Sequence, residues 1–388
     1  MTRMLRLPST YLALPILLSC GLTCLTYDLP ESYLEGVLLL AASAVAILLL
    51  DLLFGARLPR FERFRARDYL GTRESFVALA FAYAVMVFCL LDLALFPIPL
   101  IDNPSSYANM EGGHEHIRHI SDMCWALVPI GLLCARSKWL RYLLIAVGLV
   151  FPVLVIDRNR IFASLFSLAL VVLFRRDESR PLPWKTVAVL AVAGGTVFSV
   201  LGMLRSGTLD TVTLPFSAMY RAAPQGIKWL LLYISAGPYN FGAMLAKHYS
   251  NASFLINQLV PMAGSIATAG TGIPLDAPNI NVGTEFFPFL MALGPLGAVA
   301  SILALYAMLW WSVRRLHPPV SLFAWLIFLR MSYVCLMSPF APQAFTWTNL
   351  GFVLLCLVMQ VLAAWLPGRA ESPVAAAAAR TMSPPTFQ

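Results

Sequence analysis

Charged side chains are scarce in this chain, and acidic ones are the scarcest. Only 12% of the 388 residues are charged, with 19 acidic against 27 basic residues, while 59% are hydrophobic. A soluble protein of this size does not need so many uninterrupted apolar runs. The composition therefore excludes an ordinary soluble globular protein and indicates an integral membrane protein.

The motifs of soluble enzymes are also missing. The sequence holds no P-loop, no dinucleotide-binding glycine pattern, no Gly-x-Ser-x-Gly elbow and no cysteine pair at zinc spacing. No pair of carboxylates stands out as an intramembrane proton relay, and this disfavours an ion-coupled transporter as the function. The basic residues lie in short segments between apolar runs and form no clustered basic and aromatic face, so we expect no nucleic-acid partner.

Ten apolar runs are long enough to cross a bilayer, which takes about 20 helical residues. They cover residues 10–26, 34–54, 75–97, 120–135, 140–156, 159–174, 184–203, 286–312, 319–337 and 346–366. A strand barrel would instead show alternating segments of about ten residues. The predicted fold class is therefore all-α, a polytopic membrane protein with about ten transmembrane helices and one large loop.

The basic residues predict how these helices are arranged. With a cytoplasmic N-terminus, 19 of the 27 lysine and arginine residues fall in inner segments, so both termini are expected in the cytoplasm. Residues 1–203 then hold helices 1–7, residues 204–284 form one large extracytoplasmic loop, and residues 285–367 hold helices 8–10. The apolar runs inside the loop are too short to span, so we expect re-entrant or interfacial helices there. Residues 368–388, rich in proline, alanine and serine, predict a disordered tail.

Orientation leaves eight basic residues unexplained: Arg118, Arg158, Arg160, Arg205, Arg221, Lys228, Lys247 and Arg330. An arginine inside a span, as expected for Arg330, costs at least a few kcal/mol unless it meets a partner or a water-filled cavity. Because guanidinium binds phosphate through paired planar hydrogen bonds, these residues predict an outer site for a phosphate or diphosphate. The alternatives are that Arg160 and Arg205 reach the outer headgroups, and that Arg330 pairs with Asp157 or Glu285.

Two places offer histidines for proton transfer. His248 in the large loop is the leading candidate for a general base, and a surface residue contacting headgroups is the alternative. His114, His116 and His119 lie in the loop 101–120. Their spacing matches no metal-site signature, so a solvated loop is favoured over a zinc site and over a proton-transfer or sugar-contact role, and no metal is expected.

A family resemblance is carried by the end of the large loop and the span after it. The residues are Asn281-Val282-Gly283-Thr284, then Phe286-Phe287-Pro288-Phe289, then Leu293-Gly294-Pro295-Leu296-Gly297. They resemble the corresponding segment of Wzy-type O-antigen and exopolysaccharide repeat-unit polymerases, with phenylalanines where that family commonly has tyrosines. Arg160 at the start of a span, Leu204-Arg205-Ser206-Gly207 at the end of another, and the Gly237-Pro238 element agree in order. The resemblance covers residues 157–300.

This resemblance implies a helical inner-membrane glycosyltransferase that uses lipid-linked donors and needs no cofactor. The enzyme would move a growing glycan from polyprenyl diphosphate to a terminal sugar hydroxyl of another lipid-linked repeat unit. Its partners would be the lipid-linked oligosaccharide donor and acceptor, membrane lipids and a chain-length regulator protein. The large loop would then be periplasmic.

Position and charge type assign roles within this chemistry. We expect Arg160 and Arg205 to bind the donor diphosphate, and Arg221 or Arg330 to assist them or to bind the acceptor diphosphate. His248 is the expected base. The residues expected to contact the substrate are Tyr239, Asn281 and Thr284. Two other functions stay open. An O-antigen ligase shares the architecture, and a flippase or transporter of lipid-linked sugars is a different class, although charges gathered at one face disfavour it.

Overall fold

The computed structural model describes residues 2–60, 69–102, 115–175, 213–261, 272–278 and 280–366, together with individual positions between 185 and 200. The helices among them are α1 (Thr2–Leu5), α2 (Pro8–Tyr11), α3 (Ala13–Thr26), α4 (Glu31–Phe54), α5 (Arg73–Leu95), α6 (Glu115–Ser121), α7 (Leu127–Cys134), α8 (Lys138–Leu154), α9 (Arg158–Phe174), α10 (Ala218–Ala222), α11 (Gln225–Ala246), α12 (Ala252–Leu259), α13 (Phe287–Arg314), α14 (Leu322–Met337) and α15 (Trp347–Trp365). Short 3-10 helices cover Gly55–Arg57 and Asp122–Ala126. No strand occurs in this part of the chain, so the all-α prediction is confirmed for it.

Among the described residues, six helical segments are long and apolar enough to cross a membrane. They are Pro8–Thr26, Glu31–Arg57, Arg73–Leu95, Ile117–Cys134, Phe287–Arg314 and Trp347–Trp365. This is the architecture of a multi-pass membrane protein. The predicted count of ten is not confirmed, because α8, α9 and α14 have only 17, 17 and 16 residues.

Some sequence predictions fall on residues that the structure does not describe. The span 184–203 is described only at individual positions, and the tail 368–388, Arg205 and His114 lie outside the described residues. The side chain of His116 is also outside them. These predictions stay as they are.

Hydrogen bonds between helix ends show how the helices run. Close to the N-terminus, the Asp51 carboxylate at the end of α4 accepts the Ser9 N–H at 2.6 Å and the Tyr306 hydroxyl at 2.9 Å. At the opposite end, Leu100 N–H donates to the carbonyl of Leu154 at 3.1 Å. We call the first the proximal end and the second the distal end. The distal end holds the connections after α3, α5, α8 and α14.

The two apolar runs of the large loop belong to a single helix, α11, which continues through Pro238. Proline has no N–H to give to the carbonyl four residues earlier, and here that carbonyl, of Ile234, accepts the Ser19 hydroxyl at 2.5 Å. The next carbonyl, of Ser235, accepts the Thr23 hydroxyl at 3.0 Å. The proline is therefore tolerated because α3 supplies donors in its place.

Glycines bring α11 close to α4. A Cβ built on Gly242 would lie 2.4 Å from the carbonyl oxygen of Tyr33, and one on Gly36 would lie 2.6 Å from the Cα of Gly242. Small residues at helix contacts allow backbones to approach in this way. As a result α11 packs into the distal half of the bundle.

Candidate functional site

Arg160 is the centre of a buried polar network at the distal end. It lies in the first turn of α9, where Asp157 caps the helix by accepting the Arg160 N–H at 3.1 Å. The Arg160 Nε is 2.9 Å from Asp157 Oδ2, Nη1 donates to Ser121 Oγ at 3.3 Å, and Nη2 contacts Asp122 Oδ1. All three guanidinium nitrogens thus face protein oxygens, which makes Arg160 a structural anchor of this end.

The same network reaches α5. The Ser121 hydroxyl donates to the buried carboxylate of Asp92 at 2.7 Å. Arg160 and Ser121 therefore connect α5, the α6 segment and α9 at one point. Each of these elements contributes a carboxylate or a hydroxyl group, and together these groups balance the positive charge of the buried guanidinium.

Arg330 lies at the same end but is engaged differently. Its Nε donates to Asn349 Oδ1 at 2.9 Å, and its Cζ is 5.9 Å from the ring centres of Trp125 and Tyr333. Within the described part of the chain, Nη1 and Nη2 make no hydrogen bond, have no carboxylate within 4 Å and are not sealed from solvent. Arg330 therefore offers an open guanidinium edge at the distal end.

The partners considered for Arg330 in the sequence are occupied elsewhere. Asp157 pairs with Arg160. Glu285, which is fully buried, accepts the backbone N–H groups of the connection between α14 and α15, among them Ala344 at 2.7 Å and Phe345 at 3.0 Å. Burial raises the pKa of Glu285 to about 7, against the lowering effect of these amides and of the Arg330 charge. Glu285 directly follows Thr284 in the chain. The sequence analysis considered Glu285 only as an ion-pair partner of Arg330.

An amide and tyrosine cluster adjoins the arginines. The Tyr333 hydroxyl donates to the carbonyl of Asn159 at 2.7 Å, and Gln343 Nε2 donates to Asn159 Oδ1 at 2.9 Å. Arg158, the next residue along, lies with its Cζ 5.5 Å from the ring of Tyr233 on α11. Neither Asn159 nor Gln343 was found from the sequence, because a single amide side chain carries no sequence pattern of its own.

Tyr239 belongs to a second cluster, which fastens the end of the large loop. Its hydroxyl donates to Asp276 Oδ2 at 2.8 Å, beside the Tyr33 hydroxyl at 3.0 Å, and Lys247 Nζ is 2.5 Å from Asp276 Oδ1. Burial raises the pKa of Asp276, but hydrogen bonds from Lys247, Tyr239 and Tyr33 outweigh it and hold this pKa below its ordinary value. Because Tyr239 is buried, we interpret this cluster as structural: it holds the end of the large loop against α11 and α4.

The Asn-Val-Gly-Thr motif is held by α11. Asn240 Nδ2 donates to the carbonyls of Ile280 at 2.9 Å and Val282 at 2.8 Å. Asn281 is exposed, whereas Thr284 is fully buried next to Gly237. The structure thus places the two predicted contact residues of the motif in different environments.

Two further predicted site residues, His248 and Arg221, are not brought to Arg160 and Arg330. His248 is exposed just after α11, with a φ of 49°, and Tyr233 lies 13 residues before the end of that helix. At 1.5 Å per residue this is about 20 Å along the helix axis. Arg221 is exposed on α10, which packs near Tyr27 in the other cluster.

One histidine of the loop 101–120 does reach the distal site. The His119 ring lies edge-on to Trp347, with ring centres 4.5 Å apart. Among the described residues, no group of three or more His, Cys, Asp or Glu side chains is arranged to hold a metal ion. No family model, curated protein or solved structure matches this chain.

Proposed function

We propose that this protein is an inner-membrane polymerase of lipid-linked oligosaccharide repeat units. In this proposal the distal end faces the periplasm, and both substrates are oligosaccharides on polyprenyl diphosphate. The resemblance around residues 281–297 motivates the class of enzyme. The helical, multi-pass architecture supports it, since such substrates have to be approached from within the bilayer.

The observation that carries the proposal is the contrast between two neighbouring arginines. Among the described residues, Asp122, Asp157 and Ser121 face the guanidinium nitrogens of Arg160, while two guanidinium nitrogens of Arg330 at the same end have no partner. A half-buried cation without a carboxylate partner is costly in a membrane protein. An anionic ligand offsets that cost, and a diphosphate suits a planar guanidinium best.

The chemistry follows from this placement. The acceptor hydroxyl attacks the anomeric carbon of the donor, and the bond from that carbon to the diphosphate oxygen breaks. Negative charge then grows on the leaving diphosphate, so a guanidinium fixed beside it lowers the barrier. The rings of Trp125 and Tyr333 lie beside Arg330, and apolar surroundings of this kind strengthen a charge interaction.

The test is glycan transfer by the purified protein in nanodiscs, with a lipid-linked repeat unit as both donor and acceptor. Arg330→Ala is expected to lower kcat/KM by ~10²-fold or more, and Arg330→Lys by less. The matched control is Arg314→Ala, which removes an exposed arginine at the proximal end. Equal activity of Arg330→Ala and the control would contradict the proposal.

The same preparation separates the rival functions. Transfer of glycan to a lipid A core acceptor, without polymer formation, would indicate a ligase. Movement of the lipid-linked sugar across the vesicle membrane, without any new glycosidic bond, would indicate a flippase. If Arg330→Ala and the control Arg314→Ala behave alike in the ligase or flippase assay, the open guanidinium has another role.

A further inference from the structure

We infer that Asp122 is the catalytic base of the distal site and that its Oδ2 atom removes the proton from the acceptor hydroxyl. This inference rests on the proposed function, because it assigns a step in that reaction. It replaces His248, which lies beyond the far end of α11.

Asp122 is the most exposed carboxylate of the network around Arg160. Its side chain is 43% exposed, whereas that of its partner Arg160 is 6% exposed. Oδ1 faces Arg160, and Oδ2 makes no hydrogen bond within the described residues and is not sealed from solvent. One oxygen thus fixes the carboxylate, and the other can meet a ligand.

The local helix type places Asp122 beside the anion site. Asp122 begins the 3-10 helix Asp122–Ala126. In a 3-10 helix, side chains three residues apart lie on the same edge, separated by about 6 Å along the axis. The residue three positions on is Trp125, whose ring lies under Arg330. The Asp122 carboxylate and the Arg330 guanidinium are also close enough to interact electrostatically, so we place both groups at one site.

The other carboxylates grouped around Arg160 and Arg330 are already engaged. Both oxygens of Asp157 are engaged by Arg160, through its backbone N–H and its Nε. Asp92 is buried and accepts the Ser121 hydroxyl. Glu285 is sealed and accepts three backbone N–H groups. Of the carboxylates grouped around Arg160 and Arg330, among the described residues, Asp122 is the one that combines exposure with a free oxygen.

The step balances without a further reactant. The acceptor O–H bond breaks and its proton moves to Asp122 Oδ2, while the acceptor oxygen forms the bond to the anomeric carbon. The bond between that carbon and the diphosphate oxygen breaks, and its electron pair stays on the diphosphate beside Arg330. Asp122 then loses the proton to water.

The experiment compares Asp122→Asn with Asp157→Asn in the same transfer assay. Both variants remove one carboxylate from Arg160, so Asp157→Asn measures the cost of weakening that anchor, and asparagine still caps α9. Asp122→Asn is expected to lower kcat by ~10²- to 10⁴-fold. Donor binding, measured with the lipid-linked repeat unit alone, should stay within about threefold of wild type, since Arg330 is untouched.

The outcomes are distinct. Equal kcat losses in the two variants, or a loss of donor binding that accounts for the Asp122→Asn defect, would overturn the inference while leaving the polymerase proposal intact. Absence of transfer by the wild-type protein would overturn both. If Asp122→Asn does not fold, Asp122→Glu replaces it. The glutamate keeps the charge facing Arg160 but displaces the free oxygen, so donor binding should persist while kcat falls at least tenfold.

Discussion

Gly237 on α11 lies directly against the backbone of Pro339, so closely that a Cβ built on Gly237 would be 2.0 Å from the Pro339 carbonyl oxygen. Pro339 belongs to the connection between α14 and α15, which also carries Gln343. This contact therefore joins the helix of the large loop to the polar cluster around Arg160 and Arg330. Only glycine leaves room for it.

Substituting Gly237 tests that contact. Gly237→Ala is expected to lower the free energy of unfolding by about 1–3 kcal/mol, because overpacking displaces one of the two backbones. Gly351→Ala is the matched control, since nothing lies within 4 Å of a Cβ there and α15 gains a better helix former. Thermal unfolding in detergent measures both variants. A Gly237→Ala midpoint equal to that of wild type would contradict the close contact.

Arg160 should behave as an anchor in stability measurements. Arg160→Ala leaves Asp122 and Asp157 without their cation, so the protein is expected to lose about 3 kcal/mol of stability. Arg160→Lys should recover part of this, because one ammonium cannot match a planar fork with three partners. Arg221→Ala, which removes an exposed arginine on α10, is expected to stay within about 0.5 kcal/mol of wild type. Comparable losses in Arg160→Ala and Arg221→Ala would contradict the anchor.

Glu285 makes stability depend on pH. Its pKa is raised from 4.5 to about 7 in the folded protein, so the folded state holds the proton more tightly than the unfolded state. The stabilising contribution is therefore complete below about pH 4.5 and is lost as the pH rises to about 7. A shift of this size corresponds to about 3 kcal/mol.

Thermal unfolding midpoints between pH 5 and pH 8 check this prediction. The wild-type midpoint should fall across that interval, and Glu285→Gln, which cannot titrate, should show a flatter profile. Asp276 provides the comparison, because its lowered pKa affects stability only at more acidic pH. Identical slopes for wild type and Glu285→Gln would show that another group is responsible.

The apolar helices could be predicted because the bilayer imposes its own length scale. A run of about 20 apolar residues has few alternatives to a spanning helix. The segment 225–246 gave no such signal, since its glycines, Pro238 and polar residues divide it into short runs. It becomes one helix because Ser19 and Thr23, more than two hundred residues earlier in the chain, supply donors to its carbonyls.

The candidate site was predicted only in part. The sequence identifies Arg160 and Arg330 as unusual, because charge inside an apolar run is costly wherever the chain folds. It does not show that Asp122, 38 positions earlier, compensates Arg160 and that Arg330 stays open. Likewise His248 stood out by residue type, while Asp122 did not.

The sequence by itself determined that the chain is helical and membrane-embedded, and which arginines are out of place. These properties depend on local composition and on the energy of transfer into the bilayer, which each segment carries with it. Only the tertiary structure decided which arginine is neutralised, which carboxylate keeps a free oxygen, and that Glu285 is sealed. Those outcomes depend on pairings between helices distant in the chain, and their energies exist only once the helices are packed.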